Sequence, residues 1–599
     1  MNEVRDLDKE HGTVPGVPAR LFQWLFSRRV MRRWLFVLAC LATVAGLFYA
    51  VENWRGKRAW EKCRRDLETK GEVLDWGAFI PAPVPDEKNI FKAPKMAEWF
   101  VKKSWADAFP GGPSKSRDTN APFSLAPQQD AKAGPVLVAE MDVIPSNAPL
   151  PSGKADAVLR FDDPAAREQA AKLLRESIGP CAEGATGCGL VARPLDQIKP
   201  VHLVLQADTV PTGKALEEFL SAGSSHFKVT PGGGNRFRVS FGSGVYTAAQ
   251  YLALSQPAVP DLEVLRKALE RPCTRMDGDY QRPFESPIPH FVRLRNVAQM
   301  LSQRAQCYLL LGQSEAAWHE LVLVHEMCRM LNGKPAANCP TLVSAMIDVA
   351  ISGLYTGIVQ DGLRLRAWRE PELAAMQKQL ADIQLLPLVR ASFNAERAAT
   401  CRTFECYTRG ELKKLFSFGD ERHSLLGNFK DPMYLLVTFA PRGWMYQNMC
   451  VGAPLEQMII EAFDVPNNQV LPGKFETIEN VVGAASKHRS PYNFLAATAL
   501  PNFAKAAQTT ARNQTLANEA YLACGLERYR LAHGQYPDTL EALVPQFADK
   551  LPHDIVGGQP LKYHRTADGH FVLYSVGWNE KDDGGVPGAT NGEGDWVWQ

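Results

Sequence analysis

The sequence lacks the patterns by which nucleic-acid-binding proteins and many enzymes are recognised. Lysine and arginine number 67 and aspartate and glutamate 65, which leaves a formal net charge of +2. Such a balance gives no overall attraction to nucleic acid. The motifs G-x-x-x-x-G-K-[ST], G-x-G-x-x-G and G-x-S-x-G are missing, so there is no recognised phosphate loop or nucleophile elbow. We therefore predict no nucleic-acid partner, assign no catalytic or cofactor-binding residue, and favour a non-enzymatic protein.

Cysteine is sparse and irregularly spaced. A chain with 12 cysteines in 599 residues does not have the density of a disulfide scaffold, and no C-x-x-C pair indicates a zinc site. If Cys401 and Cys406 lie on one helix, a bridge between them is disfavoured. Cys181 and Cys188 flank a short loop and are the better disulfide candidate, with two free thiols as the alternative.

Two further motifs fail on spacing or context. The glycines at 232–234 precede a predicted strand and not a helix, so they indicate a hairpin turn and not a phosphate-binding loop. In "HELVLVHE", His319 and His325 stand six residues apart, which puts them roughly 240° apart around a helix. A zincin site needs histidines at i and i+4, so one metal ion cannot bind both.

One long apolar run is present, "WLFVLACLATVAGLFYAV" at residues 34–51. A bilayer core needs about 20 such residues, in a range of about 17–25. The run therefore predicts a single transmembrane helix that contacts the lipid bilayer. Two alternatives are a cleaved signal peptide and, because "VLAC" ends at Cys40, a lipoprotein signal.

Basic residues flank the run on both sides, at Arg28, Arg29, Arg32 and Arg33 before it and at Arg55, Lys57 and Arg58 after it. We favour a cytoplasmic N-terminal segment, 1–33, because long domains translocate largely regardless of charge. The prediction is a single-pass protein of the bacterial inner membrane with the bulk of the chain in the periplasm.

The remaining chain predicts a multidomain α+β fold. A charged helix and a proline-rich spacer cover 52–133, a small α/β domain 134–259, a helical, weakly tetratricopeptide-like domain 260–489, and a compact α+β domain 490–599. Within the α/β domain, alternating apolar residues predict strands at 155–161, 201–207, 226–230 and 235–241, and helices at 163–177 and 211–222. The apolar helix 341–359 carries Asp348, so we predict a buried helix there and not a second span.

The last domain contains "LERYRLAHGQYPDTLEALVP", residues 526–545. A long helix is predicted over 501–532, ended by His533 and Gly534. Asp538 is predicted to cap a short helix, with Glu541 three residues later as in a capping box. Strands at 560–565 and 570–576 follow, joined by a turn.

This order resembles the globular part of the major pseudopilin of type II secretion systems. The resemblance is carried by "GQYP", by "LPHD" at 551–554, by the strand and acidic glycine-rich tail at 571–595, and by "AATALPNFAKA". The whole chain also resembles a family of uncharacterised, single-pass membrane-anchored bacterial proteins, which implies no activity. The leader that precedes pseudopilin processing is not found in the sequence, so polymerisation as a pseudopilin is not expected.

The pseudopilin resemblance implies a calcium ion in the acidic loop. Calcium takes 6–8 oxygen ligands in flexible geometry, and "WNEKDDGGVPGATNGEGDW" can supply them. Asp582, Asp583 and Asp595 are the best-placed ligands, with a solvated acidic loop as the alternative.

We therefore predict a membrane-anchored extracytoplasmic interaction or assembly protein with protein partners. One alternative is a component of a type II secretion or pilus-like apparatus. A second is a hydrolase with a site between the α/β and helical domains.

Overall fold

The computed structural model describes residues 28–102, 122–123, 136–145, 147–148, 157–160, 201–221, 227–241, 248–332, 341–416, 439–487, 490–494, 501–588 and 592–598. These residues form a mixed α+β, mostly helical fold with one N-terminal apolar helix. The predicted α+β class is confirmed in this form, whereas the division into six segments stays a prediction. The predicted helix 163–177 and the Cys181–Cys188 pair lie outside the described residues.

The N-terminal apolar run and the charged stretch after it form one helix, α1 (Arg28–Glu68). The apolar half is exposed, and the charged half packs against the body of the protein through Glu52, Trp60 and Leu67. The charged composition of this half predicts a solvated continuation of the apolar helix, which is wrong for this face. Tryptophan and leucine placed two turns apart give the charged half an apolar stripe that must be covered.

The proline-rich segment after α1 is part of the core and not an extended spacer. It forms three short 3-10 turns, Trp76–Phe79, Asp86–Lys88 and Ile90–Lys92, followed by helix α2 (Met96–Phe100) and strand β1 (Val101–Lys102). Large apolar side chains between the prolines are buried: Trp76, Ile90, Phe91, Met96, Trp99 and Phe100. The spacer prediction is therefore corrected, because burying these side chains outweighs the extended preference of proline.

The small α/β unit contains a five-stranded mixed sheet and a helix, α3 (Gly213–Ser221). Its strands are β2 (Val136–Ile144), β3 (Ala157–Arg160), β4 (Val201–Gln206), β5 (Phe227–Gly233) and β6 (Arg236–Phe241). The order is β3-β4-β2-β6-β5, with β3, β4 and β2 parallel and β6 antiparallel to both β2 and β5. The glycines at 232–234 lie at the β5–β6 hairpin, as predicted.

The central strand, β2, is the element that the sequence prediction omitted. Met141 and Val143 point into the core, and Glu140 and Asp142 alternate with them on the other face. This is the period-2 pattern of a half-buried strand, so the signal was present.

The helical body begins with α4 (Ala248–Ser255) and α5 (Val259–Leu269), and strand β7 (Ile288–Pro289) pairs with β1. Helices α6 (Phe291–Leu310) and α7 (Ser314–Asn332) follow and form a hairpin. Gly312 adopts φ 71° in the turn, a conformation that glycine tolerates without strain. Then come α8 (Leu342–Arg364), α9 (Glu370–Ala381), α10 (Leu385–Cys406) and α11 (Arg409–Phe416).

The C-terminal part of the predicted helical domain also contains helices. They are α12 (Arg442–Glu461) and α13 (Pro472–Lys487), with a two-stranded ribbon between them formed by β8 (Phe463–Asp464) and β9 (Gln469–Val470). Pro454 lies inside α12, although proline is disfavoured in a helix interior.

The C-terminal segment is a long helix, α14 (Pro501–His533), followed by a three-stranded antiparallel sheet in chain order. The strands are β10 (Lys562–Arg565), β11 (Phe571–Ser575) and β12 (Trp596–Trp598), of which β12 was not predicted. Gly534, at φ 80°, ends α14, and its amide donates to the Arg530 carbonyl at 2.7 Å.

The predicted capping box after Gly534 is wrong. The short element is a 3-10 helix, Leu540–Leu543, and it begins after Thr539. The Asp538 carboxylate instead accepts from Arg565 on β10 at 2.8 Å, because that guanidinium offers a charged partner.

One apolar core spans the helical body and the C-terminal segment. It includes Leu294 of α6, Val359 of α8, Leu522 of α14 and Leu573 of β11. Helix α14 packs on α8, α9 and α10. The C-terminal helix therefore completes the helical body on one face and supports the small sheet on another.

Candidate functional site

The apolar half of α1 is chemically suited to lipid. Its large apolar side chains are exposed, including Leu35, Phe36 and Leu41. The hydroxyl of Thr43 donates to the Ala39 carbonyl at 2.8 Å. A helix in a bilayer must satisfy its polar groups internally, and this threonine does so.

Helix α1 continues from this exposed half into a very close contact with α12. A Cβ atom on Gly443 would lie 1.9 Å from the Glu52 carbonyl oxygen, and one on Gly56 would lie 2.2 Å from the Gly443 oxygen. Real Cβ atoms cannot approach so closely, so the two backbones touch where both residues are glycine. The membrane-type helix and the body are thus joined without a linker.

The Glu52 carboxylate forms a polar centre at this junction. It accepts from the Trp444 indole at 2.8 Å, from the Tyr492 hydroxyl at 3.1 Å and from Arg55 at 3.2 Å. The side-chain oxygen of Asn53 accepts from the Gly443 amide at 2.9 Å. These bonds fix how α1 enters the body.

Aromatic and basic side chains surround the same junction. The Tyr49 hydroxyl donates to the Phe439 carbonyl, and the Arg409 guanidinium lies 5.6 Å from the Tyr49 ring centre. Trp54 is exposed and stacks with Arg58 at 5.4 Å. Tyrosine, tryptophan and basic residues are typical of the region where a helix leaves the bilayer.

A buried charge network holds the segment after α1 in place. Glu72 accepts from Arg397 of α10 at 2.7 Å and from Gln457 of α12 at 2.7 Å. Burial raises the pKa of neighbouring Glu456 to about 8. A guanidinium as deeply buried as Arg397 must have such partners, so this network fixes α10 and α12 relative to the end of α1.

The three predicted calcium ligands lie in one loop. Asp595 is buried, and its carboxylate accepts from the amides of Asp583 at 3.2 Å and Gly585 at 2.6 Å. Asp582 faces the sheet, where it accepts from the Tyr574 hydroxyl at 3.0 Å and pairs with Lys562 at 3.3 Å. The loop therefore brings Asp583 and Asp595 together, and Asp582 has protein partners of its own.

These contacts leave lone pairs on each carboxylate, since an ionised carboxylate accepts about four hydrogen bonds. Within the described residues, no group of three or more His, Cys, Asp or Glu side chains is arranged to hold a metal ion. Calcium binding stays a prediction.

A small polar cavity of about 40 Å³ lies inside the helical body. Its polar lining comes from α7, α8 and the connection between α9 and α10: His325, Cys328, Asn332, Asp348, Ser352, Tyr355, Asp382 and Gln384. The Nδ1 atom of His325, Oδ1 of Asn332 and Oδ2 of Asp348 have no hydrogen-bond partner in the protein. The space and the polar lining suit a few ordered waters.

The cavity does not present an activated nucleophile. Burial raises the pKa of the Cys328 thiol well above its usual value, so it stays protonated, and a thiol must lose its proton to react. Burial also raises the pKa of Asp348 to about 6. The cavity lies within the helical body and not at the sheet, so it does not supply the site of the hydrolase alternative.

His319 and His325 are not brought together. His319 lines an open groove with Trp318 and Arg369, whereas His325 faces the polar cavity. This agrees with the spacing argument.

The motif residues of the pseudopilin resemblance have structural roles. The Tyr536 hydroxyl donates to Glu527 of α14 at 2.9 Å. Asp554 accepts from the Val556 amide at 2.9 Å, the Ser575 hydroxyl at 2.9 Å and the Val576 amide at 3.0 Å. These bonds fasten the "GQYP" and "LPHD" loops to the helix and to the sheet.

The sequence did not reveal the glycine contact or Glu52 as features of the junction. A local signal existed only for Glu52, which is an acidic residue directly after an apolar run.

No family model matches the chain, and neither a curated protein nor a solved structure matches it.

Proposed function

We propose that this protein is a membrane-anchored, extracytoplasmic interaction or assembly protein that catalyses no reaction of its own. The observation that carries the proposal is the unbroken helix α1, with one half exposed and apolar and the other docked on the body. An exposed apolar run of this length is unfavourable in water, so a bilayer is the partner that suits it.

The docked half of α1 holds the body in a fixed orientation relative to the anchor. A flexible linker would let the body move freely, but here a backbone contact between two glycines and the Glu52 hydrogen bonds hold it. The body is therefore presented to its protein partners in one orientation at the membrane surface. We place it in the bacterial inner membrane, with 1–33 in the cytoplasm and the bulk in the periplasm.

A topology experiment on the full chain tests this placement. In cells, we expect the protein to resist alkaline extraction from membranes, and external protease to digest the body only after the outer membrane is permeabilised. An intact mass that includes residues 1–33 excludes cleavage of a signal peptide. Release of the body by alkali, or a body protected from protease in spheroplasts, contradicts the proposal.

Site-specific photocrosslinking tests the interaction role. Leu531 on α14 is 47% exposed, whereas Leu526 on the same helix is fully buried. A photoreactive residue at 531 should give defined protein adducts in cells, and one at 526 should give adducts within the chain only. Adducts with no protein partner from 531 and from other exposed positions argue against an assembly role.

A role in a type II secretion or pilus-like apparatus is the second candidate. It is favoured by the order of the last segment, a long helix followed by a three-stranded antiparallel sheet, together with the tyrosine and aspartate contacts of its loops. Adducts from position 531 to secretion-machine subunits support this candidate. Adducts exclusively to other proteins contradict it.

We further propose that the acidic loop binds calcium through Asp582, Asp583 and Asp595. Free calcium at 100 times its dissociation constant stabilises a one-site protein by about 2.7 kcal/mol. The full chain should therefore melt at a higher temperature with calcium than with EDTA, and Asp583→Asn should remove the difference. Asp549→Asn, an exposed acid outside the loop, serves as the control. An equal melting temperature with calcium and EDTA contradicts the proposal.

A further inference from the structure

Two cysteines lie where α1 and α12 run side by side. Contacts advance in the same direction along the two segments, from Gly56 with Gly443 to Glu72, just after α1, with Gln457. The two helices are therefore parallel. Each cysteine follows its glycine by seven residues, which is close to two helical turns. The cysteine therefore lies on the same side of its helix as the glycine, towards the other helix.

The two thiols lie close enough to shift each other's pKa. They belong to one cluster with Trp60, Met449 and Cys401. Cys63 and Cys450 are half-buried, whereas Cys401 is buried. Cys63 and Cys450 are therefore accessible to a small reagent, whereas Cys401 is shielded from it.

We propose that Cys63 and Cys450 form a disulfide that clamps α1 to α12 just outside the membrane. The compartment rests on the proposed function, because disulfides persist in extracytoplasmic spaces and are rare in the cytosol. The geometry does not depend on that compartment. A disulfide requires close Cβ atoms and suitably directed side chains, and two cysteines at matching positions of closely packed parallel helices, both against one apolar cluster, meet this need.

The reaction is thiol–disulfide exchange with a dithiol oxidase or a small disulfide such as oxidised glutathione. The Cys63 thiolate attacks one sulfur of the oxidant, and the other leaves as a thiolate. The Cys450 thiolate then attacks the Cys63 sulfur and releases the second thiolate. The protein loses two protons and two electrons, and the oxidant gains them as two thiols.

Cys63 is suited to the first attack. Interaction with the neighbouring Cys450 thiol lowers the pKa of Cys63, whereas the pKa of Cys450 is raised. Burial raises the pKa of Cys401 well above its usual value, so this third thiol is the poorest competitor in the cluster. Cys401 and Cys406 lie on one helix and, like Cys63 and Cys450, are free thiols in this structure.

Peptide mapping of the full chain in detergent tests the pairing. Lys62 and Arg64 flank Cys63, so trypsin leaves too short a peptide, and cleavage after glutamate is needed. That cleavage puts Cys63 in 62–68, Cys401 in 397–405, Cys406 in 406–411 and Cys450 in 422–456. After treatment with oxidised glutathione, we expect 62–68 linked to 422–456, and separation on reduction.

Matched variants make the result decisive. Cys63→Ser and Cys450→Ser should each abolish the link, whereas Cys406→Ser, which removes an exposed thiol from α10, should retain it. The oxidised wild-type chain should also melt several degrees above the reduced chain, and Cys63→Ser should lose that difference. Free Cys63 and Cys450 after oxidation, or a link from either to Cys401, overturns the pairing.

Trapping thiols with an alkylating reagent in intact cells distinguishes the two proposals. A bridge found in cells and in vitro supports both the pairing and the extracytoplasmic placement. A bridge that forms readily in vitro but is absent in cells leaves the pairing standing and overturns the placement.

Discussion

Within the part of the chain that the structure describes, two helices are long and apolar enough to cross a bilayer, the Met31–Glu68 part of α1 and the whole of α8, but they have opposite surroundings. The apolar part of α1 is exposed, whereas more than half of the most apolar stretch of α8 is buried in the body. The polar residues distinguish them. Asp348, Ser352 and Thr356 of α8 are all buried, while the polar Thr43 in α1 bonds its own backbone.

The glycines of α8 also indicate that it is a core helix. A Cβ atom on Gly353 would lie 2.5 Å from the Asn513 side chain of α14, and one on Gly362 would lie 2.0 Å from the Trp368 indole. These glycines admit polar and aromatic partners from the body. Composition alone cannot separate a lipid-facing helix from a core helix, but the partners that its polar and small residues require can do so.

The largest expected effect comes from placing a charge in α8. Ile358 is fully buried, and Ile358→Lys would bury an unpaired ammonium group, so we expect a loss of more than about 4 kcal/mol in unfolding free energy. The measurement is chemical denaturation of the full chain in detergent, followed by tryptophan fluorescence. A folded variant with a native denaturation midpoint would show that α8 can reach water or lipid.

The matching change in α1 should leave the body folded. Leu41 and Val44 are exposed, and lysine at each position costs about 2.5–3.5 kcal/mol at the centre of a membrane helix. The double variant Leu41→Lys, Val44→Lys should keep the wild-type denaturation midpoint but lose resistance to alkaline extraction. Loss of folding in this variant would mean that the run packs on protein.

Much of the secondary structure could be predicted because its signals are local. Gly312 and Gly534 end helices by adopting positive φ, and Asp348 marks α8 as buried. The junction could not be predicted, because the contact between Gly56 and Gly443 joins residues far apart in the sequence and has no local signal. The same holds for Cys63 and Cys450. The calcium ligands could be proposed only because they fall within one loop, and their hydrogen bonds to neighbouring amides required the structure.

A third prediction concerns the pH dependence that Asp348 gives to the stability of the helical body. Burial raises its pKa from 3.8 to about 6, with Cys328, Asn332, His325 and Ser352 around it. The folded state therefore holds this proton when the unfolded state has released it, so stability falls as pH rises from about 4 to 6. At about 1.4 kcal/mol per pKa unit, the loss is about 3 kcal/mol.

Asp348→Asn should remove that loss, because the amide does not titrate. Denaturation curves at pH 4 and pH 7 should show the variant gaining about 3 kcal/mol relative to wild type between the two values. The difference between variant and wild type is the readout, since other groups titrate in both. An unchanged difference across this range would mean that Asp348 ionises freely and that the cavity is open to water.

The smallest expected effect compares one substitution in two helices. At Gly443 the added Cβ atom would meet the Glu52 backbone, whereas nothing lies within 4 Å of the position of a Cβ atom on Gly357 in α8. Gly443→Ala should therefore destabilise the chain by about 1–3 kcal/mol through overpacking. Gly357→Ala should stabilise it by about 0.5–1 kcal/mol, because alanine loses less backbone entropy in a helix.

Denaturation midpoints measure both effects on stability. Gly443→Ala should also weaken the Cys63–Cys450 link if the glycine contact sets the distance between the helices. Equal, favourable effects at the two glycines would mean that α1 and α12 do not touch, and the docked anchor would then have to be abandoned.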